Sequence, residues 1–171
     1  MDVRRIKAVA LDVDGVLTDG TFWWGPDGAE WKRFSFRDVM GVFRARKAGL
    51  VFALISGEDS PLVDRYAEKL GITDVFKGCK DKAEALKAFA ASRHLQLGEV
   101  GFMGDDVNDL GALALAGLAA APADAHESVR RVAAFVSSQP GGNGAVRELL
   151  DLFLARPERE GPARPQEEGH E

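Results

Sequence analysis

Asp12 and Asp14 stand two residues apart at the end of an apolar run, with Gly15 directly behind them. In a strand, side chains two apart point the same way, so both carboxylates can face one ligand beyond the strand end. Glycine there lets the backbone turn tightly and approach a ligand closely. Such a pair suits a Mg2+ site in which one carboxylate attacks phosphorus and the other handles protons. The same residues would also make an acidic turn after a strand, and a short motif alone does not separate the two readings.

Other polar features stand where apolar runs end. Ser56-Gly57 follows the run at 50–55, and Gly104-Asp105-Asp106-x-x-Asp109 follows the run at 99–103. Lys82 sits near the start of a helical stretch. In open α/β sheets, ligands gather beyond the carboxyl ends of the strands, which is where these residues fall. Asp105 with Asp12 can hold Mg2+, which lessens repulsion between a carboxylate nucleophile and an anionic phosphate. Ser56 can donate a hydrogen bond to a phosphate oxygen, and Lys82 can balance the negative charge of phosphate and acids. Singly, each has a plainer use. Ser56-Gly57 makes a turn, Lys82 a solvated cation, and Asp105-Asp106 with Asp109 a helix cap worth about 0.5–2 kcal/mol. Together, and in this order, they describe a phosphoryl-transfer site.

The elements that must position them alternate. Strands are expected at 6–11, 50–55, 72–76, 99–103, 118–121 (edge-type) and 133–136. Helices are expected at 37–47, 60–70, 80–95, 109–116, 125–132 and 145–155. Continuous apolar runs such as 50–55 fit strands buried on both faces, so the sheet is largely parallel and the class α/β. Residues 21–34 read as a β-hairpin, with the turn at Gly25-Pro26-Asp27-Gly28. Trp23 and Trp24 cannot face the same side of it; one is expected to pack inward and the other to meet a partner. Pro140-Gly141-Gly142-Asn143-Gly144 is expected to be a flexible loop before the last helix.

The chain has 171 residues, 46% hydrophobic and 29% charged, with a net charge of -5. This is most simply one domain at 1–155, followed by a tail at 156–171 whose prolines and glutamates read as disordered. The acidic balance argues against a broad nucleic-acid surface. Cys79 is the single cysteine, so neither an internal disulfide nor a cysteine metal cluster is available. Residues 1–7 carry charges and no apolar signal-peptide core, and the uncharged run at 110–123 is too short to span a bilayer. A cytoplasmic protein without membrane contact is expected.

Asp12-x-Asp14-Gly15-Val16-Leu17-Thr18-Asp19, Ser56-Gly57, Lys82 and Gly104-Asp105-Asp106-x-x-Asp109 resemble the four motifs of the haloacid dehalogenase-like phosphatases. Glu30-x-Lys32-x-Phe34, Arg37-Asp38 and Gly141-Gly142-x-Gly144-Ala145-Val146-Arg147-Glu148 are similar to the capless branch. That branch includes the 3-deoxy-D-manno-octulosonate 8-phosphate phosphatases. The resemblance implies a Rossmann-like, mostly parallel sheet with helices on both faces and a hairpin flap, about 21–34, in place of a cap domain. It implies Asp12 as the nucleophile that forms an aspartyl-phosphate and Asp14 as general acid and then base. It also implies Mg2+ on Asp12, the Asp14 carbonyl and Asp105, with Asp109 in support. Ser56, Gly57 and Lys82 would hold the phosphate, and Thr18, Glu58 and Lys69 would stand at the substrate. The implied assembly is a homotetramer in which the flap closes a neighbour's site.

Glu58 departs from the eight-carbon branch, which typically carries arginine there. Glu58 with Lys69 looks more like phosphatases of nine-carbon 2-keto-3-deoxy sugar acid 9-phosphates. Glu58 paired with Lys69 or Arg65 on the following helix is the plainer alternative. A reading of another class is a phospho-acceptor regulatory domain with an acidic Mg2+ pocket; Asp14 speaks for turnover, because a stable acyl-phosphate switch needs no second acid.

Overall fold

Six strands run parallel in the order β5-β4-β1-β6-β7-β8, placing the strand that ends at Asp12 in the middle of the sheet. They are β1 (Ala8–Leu11), β4 (Val51–Ile55), β5 (Asp74–Phe76), β6 (Val100–Met103), β7 (Leu118–Ala121) and β8 (Phe135–Val136). A separate antiparallel pair, β2 (Trp23–Trp24) and β3 (Glu30–Trp31), forms the hairpin. The computed structural model describes residues 3–155; the tail expected at 156–171 lies outside the described residues.

Helices cover both faces. On one side lie α1 (Phe36–Lys47), α2 (Pro61–Leu70) and α6 (Ala145–Leu154); on the other lie α3 (Lys82–Ser92), α4 (Leu110–Leu115) and α5 (Glu127–Val132). The strand period of two sorts the central residues between them. Val9, Leu11, Phe52 and Leu54 join the first core, while Ala8, Ala10, Ala53 and Ile55 join the second. Because both faces are covered, β1 and β6 read as unbroken apolar runs and are buried throughout. Among the described residues, no helix is long and apolar enough to cross a membrane.

Local chemistry sets the ends. Ser35 caps α1, Ser60 with Pro61 opens α2, and Asp81 caps α3 through the N–H groups of Ala83 and Glu84. That cap starts α3 at Lys82, so the lysine stands in the first turn, facing the strand ends. The helix closes at Ser92, earlier than expected, because Arg93 caps it and His94 turns left-handed at φ 55°. The strand expected at the sheet edge, β7, is instead interior: β8 pairs with it, and all of Leu118–Ala121 is buried.

Candidate active site

Asp12 follows β1 directly, and its N–H donates to the Met103 carbonyl at 3.0 Å, so the ladder between β1 and β6 fixes its position. The residue is 5% exposed. Oδ1 accepts from the Val13 N–H at 2.7 Å, and Oδ2 lies 2.8 Å from Lys82 Nζ. Lys82, 3% exposed, also meets Asp109 Oδ1 at 2.6 Å. Asp109 Oδ2 accepts from the N–H groups of Asp105 at 2.8 Å and Asp106 at 3.2 Å. One sealed lysine thus bridges the carboxylate after β1 and the turn after β6.

The charges are not balanced. Burial pushes the Asp12 carboxyl well above the usual carboxylate range, Asp109 adds to this, and Lys82 opposes it. Burial and then Asp109 push Asp105 up to about 6. Burial alone would lower Lys82, but Asp12 and Asp109 outweigh it and hold the ammonium above its ordinary value.

One carboxylate oxygen each from Asp12, Asp105 and Asp109 lie within 4.8 Å of one another. Hard oxygen donors at this spacing fit Mg2+, and a divalent cation relieves the repulsion that raises Asp12 and Asp105. Asp109 has one oxygen on Lys82 and the other on two backbone N–H groups, whereas Asp12 has one on Lys82 and the other on a single N–H, so Asp109 is the more fully committed of the two. Gly15 makes the approach possible. It has φ +80°, and a Cβ there would stand 2.0 Å from Asp105 Oδ2. Gly141 supports the same loop from behind: a Cβ there would lie 1.8 Å from the Gly15 carbonyl oxygen.

Asp14 points into the same cavity, about 260 Å³ in volume, whose wall includes Asp12, Gly57, Glu58, Lys82, Asp105 and Asn108. Asp14 Oδ1 accepts from the Thr18 hydroxyl at 3.4 Å and lies 2.9 Å from Lys32 Nζ. Ser56 is 1% exposed, its hydroxyl accepts the Glu58 N–H at 3.1 Å, and Gly57 and Glu58 form the wall in front of it.

Several expectations change here. Thr18 is fully buried, and its hydroxyl accepts from Gly15 and Gly20 N–H at 3.2 Å each, so it shapes the loop from inside. Glu58 pairs with neither Lys69 nor Arg65. Its Oε2 meets Lys32 Nζ from the hairpin at 2.7 Å, because the loop after β3 lies over the strand ends. Lys69 instead stands over the Phe36 ring at 5.0 Å and lines a neighbouring cavity of about 580 Å³ with Lys32, Phe34, Arg65 and Tyr66. Neither Trp23 nor Trp24 packs inward: they are 54% and 72% exposed, because β2 and β3 pair only with each other, away from the main sheet. Sequence reasoning did not assign a role to Lys32 or Asn108. The alternation Glu30-x-Lys32 and the position of Asn108 inside the Asp105–Asp109 turn were the signals for them.

The description of the haloacid dehalogenase-like hydrolases matches residues 56–149. The chain belongs to that family. Within the haloacid dehalogenase-like hydrolases it groups with phosphatases. It is 38% identical over 150 residues to the 3-deoxy-D-manno-octulosonate 8-phosphate phosphatase of Yersinia pestis, covering 88% of this chain and 80% of that one. A crystal structure of the Moraxella catarrhalis 3-deoxy-D-manno-octulosonate 8-phosphate phosphatase in complex with magnesium, phosphate and the sugar acid superposes with TM-score 0.87 at 36% identity, covering 89% of this chain and 87% of that one. The cobalt-bound enzyme of Haemophilus influenzae gives 0.85 at 37% identity, with 89% of each chain covered.

Proposed function

We propose that the protein is a Mg2+-dependent phosphatase of phosphorylated 2-keto-3-deoxy sugar acids, of the 3-deoxy-D-manno-octulosonate 8-phosphate or nine-carbon 9-phosphate type. The observation that carries this is the placement of Asp12 and Asp14 on one cavity with different partners, Asp12 on Lys82 and Asp14 on Lys32. Two acids held apart in this way can do two jobs. Asp12 attacks phosphorus as the bond to the sugar oxygen breaks, and Asp14 gives that oxygen its proton. A water then attacks the aspartyl-phosphate on Asp12, Asp14 takes the water's proton, and inorganic phosphate leaves.

Lys82 and the hydroxyl of Ser56 hold phosphate oxygens, with the open backbone at Gly57 beside them. Asp12, Asp105 and the Asp14 carbonyl are the groups that would hold Mg2+, which supplies charge neutralisation between phosphate and carboxylates. Asp109 keeps Lys82 and the Asp105 turn in place. The body of the sugar acid extends toward the cavity lined by Arg65 and Lys69, cations suited to its carboxylate, with Glu58 at the entrance.

We also propose that the active form is a homotetramer in which the hairpin closes a neighbour's site. Trp23, Trp24 and Trp31 are all exposed on the hairpin, and Phe36 and Met40 are exposed on α1.

The test is phosphate release with Mg2+ from the eight-carbon 8-phosphate and the nine-carbon 9-phosphate, with Asp12→Asn as blank. Turnover of at least one, abolished in the variant, is expected. Mg2+ binding without turnover of either would favour a phospho-acceptor domain instead.

A further inference from the structure

In the Glu30-x-Lys32-x-Phe34 segment, Lys32 carries no assigned step in the chemistry above, yet it is enclosed among carboxylates. Its side chain is 3% exposed, and Nζ lies 2.7 Å from Glu58, 2.9 Å from Asp14 and 3.5 Å from Glu30. Burial alone would lower its pKa, but the hydrogen bonds to Glu58 and Asp14 outweigh it and keep the ammonium charged. Next to it, Arg33 pairs with Asp19 Oδ2 at 3.0 Å, so the hairpin is tied to the Asp14 loop on both sides.

Asp14 needs such a tie. Its carboxylate is 32% exposed and sits on a loop, not on a strand or helix. From its own loop it receives the Thr18 hydroxyl at 3.4 Å, long for an O–H···O bond. Asp12, in contrast, is held by the sheet ladder and a buried lysine. The acid that must meet two different oxygens in succession is therefore the one whose orientation depends on the hairpin.

We propose that Lys32 is a positioning residue for Asp14, holding its carboxylate where it meets the leaving oxygen and then the attacking water. The proposal rests on the phosphatase reading above. Seating the hairpin and arming the general acid then become one event. Glu58, the more exposed partner of the same ammonium, is free to turn to substrate while Asp14 stays held. A lysine has three donors, so it can keep both.

Leaving-group chemistry separates positioning from folding. A sugar alkoxide needs a proton to leave, whereas p-nitrophenolate leaves without one. In Lys32→Met, the phosphorylation step with a sugar-acid phosphate should slow by about 10²-fold, while with p-nitrophenyl phosphate it should slow less than about 5-fold. The second substrate should then show a p-nitrophenolate burst stoichiometric with enzyme, followed by slow turnover, because water activation also uses Asp14. KM should change far less than kcat, and Lys32→Arg should restore most of the sugar-phosphate rate.

Equal slowing of the first step with both substrates, a loss confined to KM, or wild-type kinetics in Lys32→Met would each overturn the proposal. If Lys32→Met lacks a thermal unfolding transition, Lys32→Gln carries the same comparison. A wild-type enzyme inactive on the sugar-acid phosphates and on p-nitrophenyl phosphate would remove the phosphatase reading, and this proposal with it. A wild type active on them beside an unaltered Lys32→Met would remove this proposal alone.

Discussion

Lys82 Nζ lies 2.8 Å from Asp12 Oδ2, and both side chains are almost sealed from water. An ammonium in that place does two things at once. It makes a buried acid tolerable in the folded chain, and in the proposed function it leaves a fixed positive charge where a phosphate oxygen would arrive.

Removing that charge should therefore be costly twice. Lys82→Met should destabilise the metal-free protein by about 3–5 kcal/mol, since Asp12 and Asp109 are left buried without their partner. Turnover should fall by about 10²–10³. Chemical denaturation and phosphate release check the two effects. A variant of unchanged stability would show that water or another cation takes the lysine's place.

The two acids should fail differently. Asp12→Asn is expected to reduce turnover by at least about 10⁴ without loss of fold, because it removes the proposed nucleophile and relieves like-charge repulsion at the same time. Asp14→Asn should slow sugar-phosphate turnover by about 10²–10⁴. Phosphate assays and thermal unfolding of both variants test this. Near-normal turnover in either would exclude its assigned role.

Metal binding should depend on pH with a defined sign. Asp105 sits at about 6 in the folded, metal-free protein, above its ordinary value near 4. Its contribution to stability is thus fully present below about pH 4 and is lost as pH rises through about 6. Mg2+ replaces the proton, so the rise in thermal midpoint on adding Mg2+ should be larger at about pH 7.5 than at about pH 5. Equal rises at both values would place the cation elsewhere.

The hairpin should matter for assembly. Trp23→Ala with Trp24→Ala removes exposed aromatic surface that the chain's own core does not use. The expected result is a smaller native mass by light scattering and lower activity, with the thermal transition retained. An unaltered, fully active tetramer would count against closure of a neighbour's site by the hairpin.

How much of this was legible in the sequence depends on how local each feature is. Asp12 and Asp14 were readable because an apolar run ending in two carboxylates and a glycine marks a strand end, although β1 stops at Leu11 and the turn at Gly15, not the strand period, aims Asp14. Asp105 and Asp109 were readable because a turn after a buried strand spaces them within a single loop. Alternating apolar runs and helical stretches implied the parallel sheet for the same reason, since each element declares its own periodicity. The placement of β7 inside the sheet was not legible, because an apolar run looks the same whether or not another strand pairs with its far side.

Tertiary structure alone decided who meets whom. Lys82 reaches Asp109 across 27 residues of chain, and Lys32 reaches Glu58 across 26. Those meetings follow from strand order: β1 lies between β4 and β6, so their loops converge on one end of the sheet, where Lys32, just after β3, meets them. Nothing in the residue types themselves says that Glu58 takes its cation from the hairpin rather than from the next helix. Nor do they say that the hydroxyl of Thr18 turns inward to its own loop. Residue type and spacing determined which chemistry the chain could carry. Packing decided which of its charges are buried, and a charge acquires its strength and its partner only where water is excluded.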